Sequence, residues 1–355
     1  MQTAAANAEW ASSMARPAIL LAGKIHLAND VLDDLRKEHD ILDLVEPDRQ
    51  SFLKACADGK RYAHVVALYH TFGITRTVGN FDTELIESLP ASVKYICHNG
   101  AGYDMITAID ACTARGIQVS NTPIAVDDAT ATTAIFLLIS ALRHFSEGEA
   151  SARQGNWAKG FKPGRDPEGK TLGILGMGGI GKATARRAAA FDMEICYHNR
   201  NRIPDADLRR DLPGIKVTYC ATVEELCKTS DVVSVHIPLN DQTRGSFGRK
   251  EFSWMKEGSA LINTARGAVI DEEALLEALQ NGQLASAGLD VFPAEPTINP
   301  SLLANPRVTV LPHLGTATTD TMRKMEIRVL DNIKHAFKTG EVIDHVSEQK
   351  DWRKS

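Results

Sequence analysis

Short apolar runs alternate with amphipathic stretches along almost the whole chain. "AILLAG" (18–23), "HVVALYH" (64–70), "VKYICHNG" (93–100) and "IQVSN" (117–121) predict buried strands. Between them lie helical patterns such as "NDVLDDLRKEHD". Apolar strands separated by helices predict a parallel, doubly wound α/β sheet. "DDATATTAIFLLISALRHFSEG" (127–148) predicts one long buried helix after the "NTP" turn at 121–123. A second series follows: "TLGILG" (171–176), "EICYHN" (194–199), "KVTYC" (216–220), "DVVSVHIP" (231–238), "SALINTA" (259–265), "SAGLDVF" (286–292) and "VTVLPHL" (308–314). Seven strands with intervening helices predict a complete nucleotide-binding domain. "TTDTMRKMEIRVLDNIKHAFKTG" (318–340) predicts a last helix stopped by Gly340. The Pro- and Gly-rich "GFKPGRDPEG" (160–169) predicts a surface excursion.

A length of 355 residues suits two domains. The net charge of -5 gives no general attraction to nucleic acid or an anionic membrane, so neither is expected as a partner. No apolar run approaches the ~18 to 20 residues of a membrane span. The six cysteines show neither CxxC nor Cys/His spacing, so they are expected to be reduced, buried thiols without a metal. Residues 1–17 lack the apolar core of a secretory signal. They are expected to form a disordered tail on a cytoplasmic protein, with a mitochondrial presequence left open.

Gly176, Gly178 and Gly181 form a G-x-G-x-x-G turn after an apolar strand and before the Ala-rich "IGKATARRAAAF". Gly176 would allow the tight turn, Gly178 a close approach of backbone to a pyrophosphate, and Gly181 close helix–strand packing. The helix start offers free N–H groups and a positive dipole end. A dinucleotide cofactor is therefore expected. An acidic residue roughly 20 positions on would bind the ribose 2′-OH of NAD. Asn199 stands there instead, followed by Arg200 and Arg202. Two guanidinium groups suit a 2′-phosphate, so NADP(H) is the expected preference, with NAD(H) possible through its other contacts.

Five stretches in order carry a resemblance: "NGAGYD" (99–104), "GMGGIG" (176–181), "HIPLNDQTRG" (236–245), "INTARGAVIDEEAL" (262–275) with "GLDVFPAEP" (288–296), and "LPHLGTAT" (311–318). Together they resemble the D-isomer-specific 2-hydroxyacid dehydrogenases, and within them the glyoxylate/hydroxypyruvate reductase branch and fungal D-mandelate-type enzymes. The resemblance implies two doubly wound domains, Rossmann-like for the cofactor and flavodoxin-like for the substrate, with the active site in the cleft between them. The substrate domain would comprise 18–125 and 318–355, the cofactor domain 126–317. The implied reaction is reduction of a small or bulkier 2-keto acid to the D-2-hydroxy acid by a homodimer.

Hydride transfer to a keto acid needs an anchor for the carboxylate and a proton donor. Arg266, at the carboxyl end of a predicted strand, has the planar fork for the first. The resemblance makes His313 the general acid and Glu295 its orienting partner. It gives Ala101 and Gly102 a role in offering backbone N–H groups to the substrate carboxylate. Gly179 and Ile180 would face the pyrophosphate, and Ile237 and Pro238 the adenosine side. Thr264, Asp290, His313 and Gly315 would stand at the nicotinamide end, with His236 behind them. His70, Phe72, Tyr103 and Met105 are candidates for the pocket of the substrate side chain, and Trp157 and Phe161 could reach it from a partner subunit.

Departures from the family pattern matter as well. The acidic residue usual near Thr132 and the Thr usual near Ala134 are absent, so no role is carried onto that helix. Glu295 is not Gln, which argues against a formate dehydrogenase. The chain after Gly340 is short, which disfavours relatives with a regulatory domain. Two alternatives stand beside the reductase: a dinucleotide-sensing corepressor-like protein and a same-fold phosphite-type dehydrogenase.

Overall fold

The computed structural model describes residues 16–352. The chain forms two units, Met1–Ala125 with Thr319–Ser355, and Val126–Thr318. Thr318 thus belongs to the second unit rather than the first. The expected tail lies outside the described residues for 1–15. Arg16 and Pro17 are described, and Arg16 donates to the Lys37 carbonyl at 2.9 Å.

The first unit holds β1 (Ala18–Ala22), β2 (Asp40–Asp43), β3 (Val65–Thr71), β4 (Tyr95–Asn99) and β5 (Gln118–Ser120) in one sheet, ordered β2-β1-β3-β4-β5. All pairs are parallel. This is the flavodoxin-like order. β1 is buried at every position, as a strand covered on both faces requires. β2 has no counterpart among the strands read from the sequence. Its "DILD" is a short, half-exposed edge whose two Asp residues hide the apolar pair between them. The C-terminal helix Thr319–Thr339 returns to this unit. Its Glu326, only 2% exposed, accepts from the backbone N–H groups of His26, Leu27 and Ala28 at 2.8–2.9 Å. Those groups precede the helix Asn29–Arg36, so a buried carboxylate ties the last helix to the first. Gly340, at φ 84, ends the long helix where the sequence placed its stop.

The second unit holds β6 (Thr171–Leu175), β7 (Glu194–His198), β8 (Val217–Tyr219), β9 (Val232–Val235), β10 (Ser259–Asn263), β11 (Leu284–Leu289) and β12 (Val308–Val310). Their order is β12-β11-β10-β9-β6-β7-β8, again with every pair parallel. This is the Rossmann order with one strand added. The strand order reverses between β6 and β9, the switch point where ligands of such sheets bind. The region read as one helix over 127–148 is two, Asp127–Arg143 and Phe145–Arg153, meeting at 73°. His144 sits in the left-handed region at φ 56, which no helix continues through. With neither Gly nor Pro there, the apolar pattern ran on unbroken. Leu137 of the first helix packs within 2.8 Å of where a Cβ on Gly288 of β11 would lie, so a glycine lets helix and sheet close. All six cysteines are buried and unpaired. Among the described residues no group of His, Cys, Asp or Glu could hold a metal, and no single helix is long and apolar enough to cross a membrane.

Candidate active site

The glycine turn joins β6 to the helix Gly179–Ala189. Gly176 has φ 102, and a Cβ there would lie 2.8 Å from the His236 backbone. A Cβ on Gly181 would lie 2.3 Å from the carbonyl oxygen of Gly176. One glycine therefore serves the turn and another the contact of helix with strand. Gly178 differs: its Cβ would meet nothing within 4 Å. The fold does not need this glycine, and its absent side chain leaves an open cradle. No side chain caps the helix that starts there. Its first N–H groups and dipole suit an anion such as a pyrophosphate. Gly179 lies against the Asp127 carboxylate, 2.0 Å from where its Cβ would stand. Burial, with Asp128 nearby, raises the pKa of Asp127.

Asn199, just past β7, has a second task that its place in the pattern did not reveal. Its Oδ1 accepts from the Met177 N–H of the glycine turn at 2.7 Å. Arg200 is exposed. Arg202 pairs with Asp205 at 3.0 Å and lies over the Tyr219 ring at 5.5 Å. Both Arg202 and Asp205 are 58% exposed, so the pair is weak and leaves the guanidinium able to exchange partners.

Two buried polar atoms stand orphaned at adjacent strand ends. Thr264 Oγ1 and His236 Nδ1 have no hydrogen-bond partner. Each follows a residue of the paired β10–β9 register, Asn263 opposite Val235. Burial lowers the His236 pKa to about 4, so its ring is neutral, and Ser234 Oγ meets its Nε2 at 2.8 Å. Unsatisfied buried groups cost free energy unless something completes them. A polar ligand at the switch point fits both. Ile237 and Pro238 follow His236, and the Pro238 carbonyl accepts from Thr243 Oγ1 at 2.6 Å.

His313 is held from three sides. Its backbone sits at φ 57, a conformation a non-glycine residue adopts only when its surroundings impose it. Asp290 imposes it. Its carbonyl accepts from His313 N at 2.8 Å, and its two carboxylate oxygens accept from Leu314 N at 2.6 Å and Gly315 N at 2.8 Å. Asp290 is 1% exposed, and burial raises its pKa against those hydrogen bonds. Glu295 then fixes the ring: its Oε2 lies 2.8 Å from His313 Nδ1, and its Oε1 accepts from Phe292 N at 2.9 Å. A carboxylate at Nδ1 makes that nitrogen the N–H, which leaves Nε2 for proton transfer. Burial pushes Glu295 upward. The hydrogen bonds from His313 and Phe292 and the charges of His313 and Arg266 outweigh it and hold the carboxyl below its usual value.

Arg266 follows β10 in a turn knitted by Asn263. That buried side chain accepts from Ala265 N at 3.0 Å and donates to the Arg266 carbonyl at 2.9 Å. A Cβ on Gly267 would lie 2.0 Å from the Phe292 backbone, so only glycine brings this turn against the segment that carries Glu295. Arg266, Glu295 and His313 thus share one electrostatic neighbourhood in the second unit, flanked by Thr264, Asp290 and Gly315.

In the first unit, "NGAGYD" leaves the carboxyl end of β4. The carbonyls of Gly100, Ala101 and Gly102 accept from Thr122 N at 3.0 Å, Asn121 Nδ2 at 2.7 Å and His98 Nε2 at 3.0 Å. Of the four candidates for the side-chain pocket, His70 and Met105 are enclosed in this unit's own core, at 0% and 4% exposure. Phe72 is 42% exposed, and Tyr103 bonds Ser347 and Glu348 through its hydroxyl. Apolar neighbours and a buried histidine partner remove the first two from the surface.

The profile of the D-isomer specific 2-hydroxyacid dehydrogenase, NAD binding domain, matches residues 135–315. The 4-methyl-2-oxopentanoate reductase A of Aspergillus oryzae is 46% identical over 334 residues, 94% of this chain and 99% of that protein. The chain belongs to the D-isomer-specific 2-hydroxyacid dehydrogenases. The crystal structure of a glyoxylate reductase from Paecilomyes thermophila superposes with a TM-score of 0.90 at 48% identity, covering 95% of this dehydrogenase and all of that chain. The NADPH-dependent glyoxylate/hydroxypyruvate reductase of Sinorhizobium meliloti, solved with NADP and malonate, gives a TM-score of 0.79 at 33% identity, covering 94% and 98%. This dehydrogenase is an oxidoreductase that uses a nicotinamide dinucleotide and reduces 2-keto acids.

Sequence reasoning missed the supports of the dehydrogenase's site: Asn263, the Phe292 N–H, the grip of Asp290 on the His313 turn, and His98 with Asn121. Asn263 had a signal, an amide ending a buried strand just before Arg266, where a polar group needs a local partner. Asn121 had none, because its partner Ala101 lies across a loop closure that spacing does not encode, and although His98 meets Gly102 only a few residues on, its bond to His70 comes from the neighbouring strand.

Proposed function

We propose that this chain reduces a 2-keto acid to the D-2-hydroxy acid with His313 Nε2 as the proton donor and NADPH as the preferred cofactor. One observation carries the reading: His313, in a strained turn gripped by Asp290, has its Nδ1 held by a Glu295 that is itself fixed by the Phe292 N–H. Such a chain aims one nitrogen and sets a carboxylate against the other.

Bound at the glycine turn, the dinucleotide supplies the hydride. Gly176 to Gly181, with the N–H groups of Gly179 and Ile180, would hold its pyrophosphate. Ile237 and Pro238 would cover the adenosine. Thr264, Asp290 and Gly315 would stand at the nicotinamide. Asn199, Arg200 and Arg202 would favour a 2′-phosphate, with NADH still able to bind. Arg266 pairs its fork with the substrate carboxylate and the neighbouring carbonyl oxygen. Ala101 and Gly102, in the substrate unit, would offer N–H groups to a substrate carboxylate, as the resemblance implies. His313 Nε2 gives its proton to the carbonyl oxygen as that oxygen gains charge. Glu295 offsets the positive ring beforehand. In the oxidative direction the same Nε2 accepts the hydroxyl proton.

The substrate class runs from glyoxylate and hydroxypyruvate to branched acids, as the names of the relatives suggest. A homodimer belongs to the proposal, because Phe136, Phe145 and Trp157 leave the region of the two meeting helices unusually apolar, at 50%, 49% and 84% exposure.

The test is kcat/KM for glyoxylate, hydroxypyruvate, 4-methyl-2-oxopentanoate and benzoylformate with NADPH and with NADH. His313→Ala should lose about a hundredfold to ten-thousandfold in kcat, with NADPH binding kept. Near-normal turnover of that variant would overturn the assignment. No turnover of any acid by the unaltered protein, with intact NADPH binding, would favour the dinucleotide-sensing alternative. Asn199→Asp tests the cofactor preference. Asp keeps the acceptor that Met177 N–H uses and changes only the charge. Preference should move toward NADH by about tenfold to a hundredfold. Equal kcat/KM for both cofactors in the unaltered protein would refute the preference.

A further inference from the structure

We infer that His98, set by His70, is a positioning residue for the substrate carboxylate: its ring fixes the loop whose N–H groups receive the acid. The inference rests on the reading of Ala101 and Gly102 as that receiver.

The two rings lie inside the first unit, at 0% and 1% exposure, with His70 Nδ1 2.8 Å from His98 Nδ1. The Gly102 carbonyl can only accept, so His98 Nε2, 3.0 Å away, carries the proton. In the neutral ring His98 Nδ1 is then a lone pair, and His70 Nδ1 must be the donor. His70 Nε2 is left as a bare nitrogen, and it is buried without a partner. Burial, reinforced by His98, lowers the His70 pKa well below the usual histidine value. The Phe81 ring, centred 4.4 Å from that of His70 and near perpendicular, closes the packing. Whichever of the two Nδ1 atoms carries the shared proton, His98 Nε2 points an N–H at Gly102.

A peptide unit is planar, with C=O and N–H opposed, so holding a carbonyl aims the next N–H. The Thr122 bond to the Gly100 carbonyl aims Ala101 N–H. The Asn121 bond to the Ala101 carbonyl aims Gly102 N–H. The His98 bond to the Gly102 carbonyl aims Tyr103 N–H and fixes the far side of Gly102. The loop also wraps the ring: a Cβ on Gly100 would lie 2.6 Å from His98 Nε2. Three successive peptides are thus set by three groups, and His98 is the one that both bonds the loop and shapes it.

The experiment compares His98→Phe, His98→Gln and Ala101→Pro in the full chain. The readouts are KM and kcat for glyoxylate, inhibition by oxamate (its amide analogue), the dissociation constant of NADPH, and Tm. Phe keeps the ring and removes the donor. It should raise KM and the oxamate inhibition constant about tenfold, lower kcat less, and leave NADPH binding unchanged. Gln restores an N–H near the Nε2 position and should recover most of the loss, which a space-filling role would not allow. If His98→Phe does not fold, His70→Phe leaves His98 in place without its proton donor and should show the same KM-weighted loss at about threefold. Ala101→Pro deletes one N–H of the receiver. If it weakens glyoxylate and oxamate while His98→Phe and His70→Phe leave both at their original values, the role of His98 is overturned and the receiver stands. If Ala101→Pro changes neither, the receiver reading falls and this inference falls with it. A His98→Gln variant no better than Phe would also overturn it.

Discussion

Two loops in this dehydrogenase leave strand ends where the proposed function puts anions, and they are built on different principles. The glycine turn at 176–181 runs straight into a helix of eleven residues whose start is uncapped. There the helix itself orients the N–H groups, and the glycines only let backbone come close. The loop at 99–104 has no helix to do this. Its peptides are set one at a time by Thr122, Asn121 and His98, and His98 is set in turn by His70, 28 residues away. The first device is local and repeats wherever a strand, a turn and a helix follow each other. The second is assembled from the fold around it. A cofactor used in every turnover suits the first. If the loop at 99–104 receives acids with different side chains, as proposed, it can be tuned through side chains behind it without touching the donors.

The largest expected effect belongs to the glycine turn. A methyl on Gly181 would meet the Gly176 carbonyl oxygen at 2.3 Å, a backbone atom that cannot step aside. Gly181→Ala should cost about 1 to 3 kcal/mol of stability, the usual range for forced overpacking, and should abolish NADPH binding. A variant with unchanged Tm and cofactor affinity would mean that helix and strand are not in the contact described. Gly178→Ala separates fold from ligand. Its methyl meets nothing in the protein, so Tm should hold. NADPH and NADH should both weaken by about tenfold or more, worth about 1.4 kcal/mol. A fall in Tm with unchanged affinity would give Gly178 a structural task and leave the cradle without its argument.

The same contrast decides what the sequence could disclose. The central strands of the second unit, β6, β9 and β10, were legible because they are buried almost throughout and read as continuous apolar runs, whereas the half-exposed edge strand β8 was read from its apolar flanks. The glycine turn was legible because its geometry constrains residues a few positions apart. Arg266, Glu295 and His313 were legible through the resemblance, and geometry then joined Glu295 to His313 at 2.8 Å. β2 was not legible, because an edge strand with Asp at both ends carries no apolar run. The bend at His144 was not either, since a left-handed histidine leaves no mark in the pattern. His70 and Met105 were candidates for the side-chain pocket. They proved to be interior, because neighbours far along the chain cover them. Asn199 read as a cofactor selector, and its hold on Met177 N–H depends on two strand ends that only the sheet brings together.

The smallest expected effect lies in the substrate loop. A methyl on Gly100 would lie 2.6 Å from His98 Nε2, closer than atoms tolerate. The obstacle here is the tip of a side chain and not backbone, so it can yield where Gly176 cannot. Gly100→Ala should therefore fold, keep its NADPH affinity, and raise KM for glyoxylate only about three- to tenfold, at most about 1.4 kcal/mol. Its cause would be the His98 ring displaced from the Gly102 carbonyl. Mutations that act through one contact do not add. The double variant Gly100→Ala with His98→Ala should then be no worse than His98→Ala alone, because both the ring that the methyl meets and its bond are already gone. Measured KM values for the two single variants and the double decide the point. If the losses multiply, the methyl acts on the loop by its own route, and the side-chain clamp is not what distinguishes this loop from the glycine turn.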